Sequence, residues 1–348
     1  MPLTAVFRCD ASPRIGGGHA TRSLALADAL TRIGWRTIFA VGPESVATIP
    51  LLASHRIVTL HGGAADEPAE IRAAIDGPVD WLVVDHNDRD ERFEAGCRKW
   101  AAAILVIADF ADRRHDCDLL LDQTVGRESG ADRGMHIPLV PSHCCLLLGL
   151  DYALVRDQFT RRRAEAKERR SQAGEVQRLL LSFGATDLSG LTPRVLAALL
   201  ARNPAFHIDV VTGAAPGAET VALANRHAGR VTLRHTVEDM GDLMLAADLA
   251  VGLAGTSGSE RCALGLPSAL FVPSEHYRAI SERFSQAGAC EIVGRETFDD
   301  AAAAAAVLAL ASEPRRLTRM ATAAFALCDG LGATRTANEM RALSEARQ

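Results

Sequence analysis

The chain has 348 residues, 48% hydrophobic and 23% charged, with a formal net charge of −5 at pH 7. That balance is ordinary for a soluble globular protein, and the acidic net charge speaks against the basic face of a nucleic-acid binder. No run reaches 18 uninterrupted apolar residues, so membrane insertion is not expected, and the length favours two domains over one undivided core.

The N-terminus, MPLTAVFRCDASPR, lacks a charged region ahead of its short apolar run, which therefore reads as a strand and not as a signal peptide. Apolar runs then follow at 4–7, 36–41, 56–60, 81–85, 103–109 and 144–149, with helical patterns between most of them. The first of these patterns, residues 19–33, carries Leu24, Leu26, Ala27, Leu30 and Ile33 on one stripe. Continuous apolar strands joined by helices predict a parallel sheet covered on both faces.

Residues 161–170, RRRAEAKERR, hold six basic and two acidic side chains, which predicts a solvated helix with a Glu165–Arg169 pair. A second alternating series begins beyond it, with apolar runs at 178–184, 207–213, 230–235, 248–255 and 268–273. Helical patterns lie at 188–202, 216–227, 239–246, 257–264 and 277–287, then at 301–311 and in two further stretches of the tail. The fold class expected is α/β, with two Rossmann-like doubly wound domains facing a cleft. Expected boundaries are 1–155, a charged linker helix at 156–175, a second domain at 176–328, and a C-terminal helix at 329–348 packing back on the first domain.

Three consecutive glycines, Gly16 to Gly18, precede His19 after the first strand. The stretch GGGHAT lacks the third glycine of a dinucleotide fingerprint, and the second strand ends in FAVGPES without an acidic residue. No lysine stands where a P-loop needs one. Neither NAD nor ATP is indicated, and no cofactor is expected. Glycines at such a turn still let backbone amides approach an anion. A histidine in the first helical turn has its protonated form disfavoured by the helix dipole, which suits a base. Spacing alone leaves His19 open between that role and simple capping or packing.

Two later loops add to the pattern. SFGATD (182–187) and GLAGTSGSE (252–260) both follow a strand and open a helix, where amides and hydroxyls can meet a diphosphate. Glu260 is an acceptor-only side chain suited to a ribose diol. Asp88-Arg89-Asp90 and Asp116-Cys117-Asp118 spell D-x-D, but neither follows a strand as a metal-binding triplet would, and no metal is expected. The eight cysteines include one adjacent pair, Cys144-Cys145, and no C-x-x-C, so neither a zinc site nor a disulfide framework is indicated and a reducing cytoplasm is expected.

The ordered set RCDASPRIGGGHATRSLALADAL, VVDH (83–86), ADRRHDCDLLLDQ (111–123), LLGLDYALVRDQF (147–159), SFGATD and AGTSGSERCALGLPS (254–268) resembles the UDP-sugar hydrolases of pseudaminic acid biosynthesis. Those enzymes release UDP from UDP-2,4-diacetamido-2,4,6-trideoxy-β-L-altropyranose and belong to the GT-B-like group that includes the peptidoglycan transferase using UDP-N-acetylglucosamine, so the resemblance implies a GT-B-like arrangement of the two domains. The resemblance implies that the family's G-x-G-H-x-x-R motif falls on Gly16, Gly18, His19 and Arg22, with His19 activating water. It implies a UDP site at Ser182, Gly184, Thr186, Gly255, Thr256, Ser257 and Glu260, and a sugar site drawn from Asp10, Arg14, Gly18, Arg22, Asn87 and His276. Asn87 stands where the family has a tyrosine, and Glu275-His276-Tyr277 where it has an Asn-Gln pair. Thr124 replaces an expected asparagine. The expected partner is a small-molecule UDP-sugar and the expected assembly a monomer or weak dimer. A glycosyltransferase and a non-catalytic nucleotide-sugar binder are the alternatives.

Overall fold

Runs of apolar residues become strands buried on both faces because each sits between helices and needs no wet side. The computed structural model describes residues 2–63, 66–128, 130–172, 174–213, 216–235 and 237–347. The chain divides into two units, Met1–Ser12 with Gly17–Arg156 and Leu331–Gln348, and Pro13–Gly16 with Asp157–Gly330.

The first unit contains β1 (Thr4–Cys9), β2 (Arg36–Val41), β3 (Arg56–Thr59), β4 (Val79–Asp85), β5 (Ala101–Ile107), β6 (Leu119–Asp122) and β7 (Cys145–Leu148). They pair in parallel in the order β3-β2-β1-β4-β5-β6-β7. Phe7 and Phe39 face each other in register and stack with centroids 4.9 Å apart. The helix Gly18–Arg32 covers this face with Leu24, Leu26 and Leu30. The helix Gly332–Ala346 adds Ala333, Ala337 and Met340 to the same core, and the Trp81 Nε1–H donates to Ser344 Oγ at 2.8 Å.

The second unit repeats the plan with β8 (Arg178–Ser182), β9 (His207–Thr212), β10 (Val231–His235), β11 (Leu249–Gly252), β12 (Ser268–Val272) and β13 (Cys290–Arg295). The order is β10-β9-β8-β11-β12-β13, again all parallel. Both sheets thus place their first and fourth strands side by side, which is the doubly wound pattern.

β6 and β13 are absent from the predicted runs. β6 has three leucines between aspartates, too short a signal, and β13 is an edge strand whose CEIVGR mixes apolar with charged residues.

The basic stretch forms the helix Asp157–Ser171, but it is not simply solvated. Arg163 donates to the carbonyls of Ala263, Phe325 and Cys328, Arg169 to that of Ala246, and Arg170 to that of Met244. These carbonyls close the helices Thr256–Ala263, Pro314–Leu327 and Met240–Ala246. Terminal carbonyls lack intrahelical donors and sit at the negative end of the dipole, so guanidinium groups satisfy them. Arg169 also pairs with Asp248 at 2.5 Å, in place of the expected partner Glu165.

Candidate active site

Strand order reverses between β1 and β4, and in open parallel sheets ligands bind beyond the carboxyl ends of such a pair. Asp10 follows β1 there, and Asp85 ends β4 opposite Cys9. The intervening loop reaches Gly16, whose φ of 82° lies in the region favouring glycine. Gly17 caps the helix Gly18–Arg32 without a side-chain bond, and His19 stands in its first turn.

The His19 Nδ1 lies 3.0 Å from the Asp85 carbonyl oxygen and 3.2 Å from Asp85 Oδ1. Both neighbours are acceptors only, so Nδ1 carries the proton, and a neutral ring keeps its lone pair on Nε2. One turn along the same helix, Arg22 donates to both Asp85 oxygens at 2.7 and 2.6 Å and to both Asp109 oxygens at 2.7 Å. Ser23 Oγ adds a 3.3 Å bond to Asp85. Burial alone would raise the pKa of Asp85, which is 0% exposed, but Arg22 and His19 hold it below the usual carboxylate range.

Asp10 is part of a second charged cluster. It accepts from Gly42 N at 2.6 Å, Arg8 Nη2 at 3.0 Å and His86 Nε2 at 3.0 Å. Arg8 and Arg89 both fork onto Glu67, at 3.0 Å from Arg8 and at 2.9 and 2.5 Å from Arg89. Burial opposes ionisation of Asp10 and Glu67, yet the bonds from His86 and the arginines leave both carboxyls lowered.

Of the residues expected in the first half, His19 and Arg22 therefore converge on one carboxylate, and Asp10 lies beside the same strand ends. Gly18 and Asn87 are exposed. Arg14 is exposed in the loop that groups with the second unit. Sequence reasoning missed Asp85 as a site residue, although VVDH was in view. The available signal was a buried apolar strand ending in an acid; its use required knowing that β4 lies beside β1. Asp109 was hidden the same way.

The D-x-D triplets are occupied structurally. Asp90 caps the helix Glu91–Cys97 through Arg92 N at 3.0 Å. Asp116 and Asp118 take Arg98, and Asp118 also takes Ile104 N and Arg347. Among the described residues, no group of three or more His, Cys, Asp and Glu side chains forms a candidate metal site.

In the second unit, Gly252 pairs with Ser182 in register, so the two expected loops leave neighbouring strands. Gly184 has φ 93°. SFGATD does not open a helix directly: the helix begins at Leu191, and Asp187 accepts from the amides of Leu191 and Thr192 at 2.9 and 2.8 Å. Those helix-start amides are therefore consumed by Asp187. The second loop differs. Gly255 caps the helix Thr256–Ala263 with no side-chain bond, no acid stands in the first turn, and a Cβ at Gly255 would meet open space. Such a terminus, with Thr256 and Ser257 half-buried beside it, can chemically accept an anion. Glu260 is buried in the same helix. His276 is exposed in the first turn of the helix Glu275–Gln286, edge-on to Tyr277 at 5.2 Å.

No family model matches the chain. The UDP-2,4-diacetamido-2,4,6-trideoxy-beta-L-altropyranose hydrolase of Campylobacter jejuni is 26% identical over 201 residues, spanning 57% of this chain and 66% of that protein. The UDP-N-acetylglucosamine–N-acetylmuramyl-(pentapeptide) pyrophosphoryl-undecaprenol N-acetylglucosamine transferase of Methylococcus capsulatus is 33% identical over 149 residues, spanning 41% of each. The matches thus reach less than two thirds of either relative's length. The crystal structure of Acinetobacter baumannii MurG superimposes with a TM-score of 0.63 at 15% identity, covering 98% of this chain and 99% of that one. Two doubly wound parallel sheets, matched along nearly the whole length, give the chain the GT-B fold.

Proposed function

We propose that the chain hydrolyses a UDP-linked amino sugar of the 2,4-diacetamido-2,4,6-trideoxyhexose class, breaking the anomeric C–O bond with inversion. The observation that carries this reading is His19: two acceptors fix the proton on Nδ1, which leaves Nε2 as the proton acceptor. Asp85 orients the ring and stabilises the imidazolium that forms, and Arg22 holds Asp85 ionised. The hydrolase relative supports the substrate class.

Diphosphate is already a good leaving group, so the chemistry asks for a base on water and positive potential at the departing oxygens. His19 Nε2 takes a proton as the water oxygen bonds to C1, and the C1–O bond electrons leave with UDP. The amides at 184–186 and the helix start at 255–257 receive the growing charge, while Glu260 accepts from the ribose. Asp10, Arg14, Gly18, Asn87 and His276 are the residues assigned to the sugar, whereas Arg22, buried and committed to Asp85 and Asp109, acts through Asp85. The first domain carries the reacting centre and the second the nucleotide.

The test is UDP release from a panel of UDP-2,4-diacetamido sugars with no acceptor present. The unmodified chain turns over at least one, and His19→Asn drops the rate by about 10²-fold or more; full activity in the variant removes His19 as base. A transferase is the second reading, favoured by the Methylococcus capsulatus relative and by the match to MurG. It requires that UDP appear only when a hydroxyl acceptor is added.

A further inference from the structure

Cys117 and Cys144 lie with their sulfurs 3.6 Å apart, outside the candidate active site. Cys117 is fully buried just ahead of β6, and Cys144 is half-buried just ahead of β7. Neither backbone segment is free to drift. The Cys145 N–H donates to Asp118 O at 2.9 Å, the Cys144 N–H donates to Pro141 O at 2.9 Å, and β6 pairs with β7 from Leu119 opposite Cys145 onward. Asp116 N donates to buried Glu94 at 2.6 Å, and Asp118 is fastened by Arg98, Ile104 N and Arg347. The sulfurs are in van der Waals contact, and a bond near 2.05 Å asks them to close by about 1.5 Å.

We propose that Cys117 and Cys144 form a redox pair that closes to an intrachain disulfide when a peroxide-class oxidant reaches Cys144. The Cys144 thiolate attacks one peroxide oxygen and breaks the O–O bond, giving a sulfenic acid and, with the thiol proton, one water. The Cys117 sulfur then attacks the Cys144 sulfur and expels hydroxide, which takes the Cys117 proton as a second water. Two thiols lose two electrons, and one peroxide becomes two waters. A dithiol reductant reverses the bond. The order follows from access, because contact with Cys144 and burial hold Cys117 as the thiol, whereas Cys144 is only half-buried. The closed pair ties the starts of β6 and β7 together at Asp118, which also anchors Arg347 behind the C-terminal helix. This inference does not depend on the proposed substrate.

The full chain is treated with hydrogen peroxide, then unfolded, alkylated, digested and read by mass spectrometry. Free thiols fall from eight to six, a linked peptide joins Cys117 to Cys144, and dithiothreitol restores all eight. Cys117→Ser and Cys144→Ser each abolish the link and Cys145→Ser keeps it; should the buried Cys117→Ser misfold, Cys144→Ser carries the test. Eight free thiols after treatment, a Cys144–Cys145 bond, a bond between two chains, or sulfinic acid at Cys144 with Cys117 still free would each overturn the proposal.

Discussion

Gly255→Asp separates the nucleotide role of the second loop from its role in folding. Gly255 caps the helix Thr256–Ala263 at φ −82° and ψ −151°, an ordinary extended conformation, and its Cβ direction is open. An aspartate meets no neighbour there and can accept from the amide of Ser257, since the Gly258 N–H already donates to the Gly255 carbonyl at 2.7 Å. The new cap and its charge at the positive helix end stabilise by about 1 kcal/mol, so the melting temperature rises by roughly 2–4 °C. In the proposed reading the same carboxylate takes the place assigned to the UDP phosphate. Losing one charge-assisted amide bond removes about 1.5–3 kcal/mol, and like-charge repulsion at about 4 Å adds about 1–4 kcal/mol. Taking about 3 kcal/mol in total, UDP binding weakens roughly 150-fold. Calorimetric titration with UDP and a thermal melt on one sample give both numbers, with Gly255→Ala as a control that stays within a few-fold. A variant that melts higher and still binds UDP within threefold of the unmodified chain refutes the assignment of this helix start.

Asp85→Asn leaves the buried Arg22 with Asp109 alone, which destabilises by about 3 kcal/mol in urea unfolding, near the lower bound for a broken buried pair. In the folded variant the rate of UDP release falls by about 10³–10⁴-fold, as expected when the carboxylate orienting a catalytic histidine is neutralised; a loss of stability with an unchanged rate would make Asp85 purely structural. The carboxyls of Asp10, Glu67, Asp85 and Asp118 all lie below their ordinary values because arginine, histidine and amide partners outweigh burial. The unfolded chain therefore binds more protons than the folded one near pH 4, and stability rises with pH there. Melting temperature should be nearly flat from about pH 7 to 5 and fall as acid drops below about pH 4 and through the folded values. An unchanged melting temperature at pH 3 would mean these ion pairs contribute nothing.

The parallel α/β halves were legible because most strands are short apolar runs between turn residues, as in RTIFAV at β2, which stops at Gly42, and SALFV at β12, which lies between Pro267 and Pro273. His19 and the glycine loops were legible as local patterns at strand-to-helix turns. Asp85 was not, since its role depends on β4 lying next to β1, a pairing between residues about as far apart as Cys9 and Asp85. The helix Asp157–Ser171 shows the same limit from another side. A run of arginines looks solvated until the helix ends that it caps are known. Asp187 likewise reads as part of a phosphate loop, whereas its carboxylate serves the two amides that open the helix Leu191–Ala201.

The most direct measurement is hydrolysis of a UDP-2,4-diacetamido sugar in water enriched in ¹⁸O. Attack of a His19-activated water on C1 predicts that the label enters the anomeric hydroxyl of the freed sugar and that UDP carries none. Label in the terminal phosphate of UDP, or no UDP at all until a hydroxyl acceptor is supplied, would contradict it.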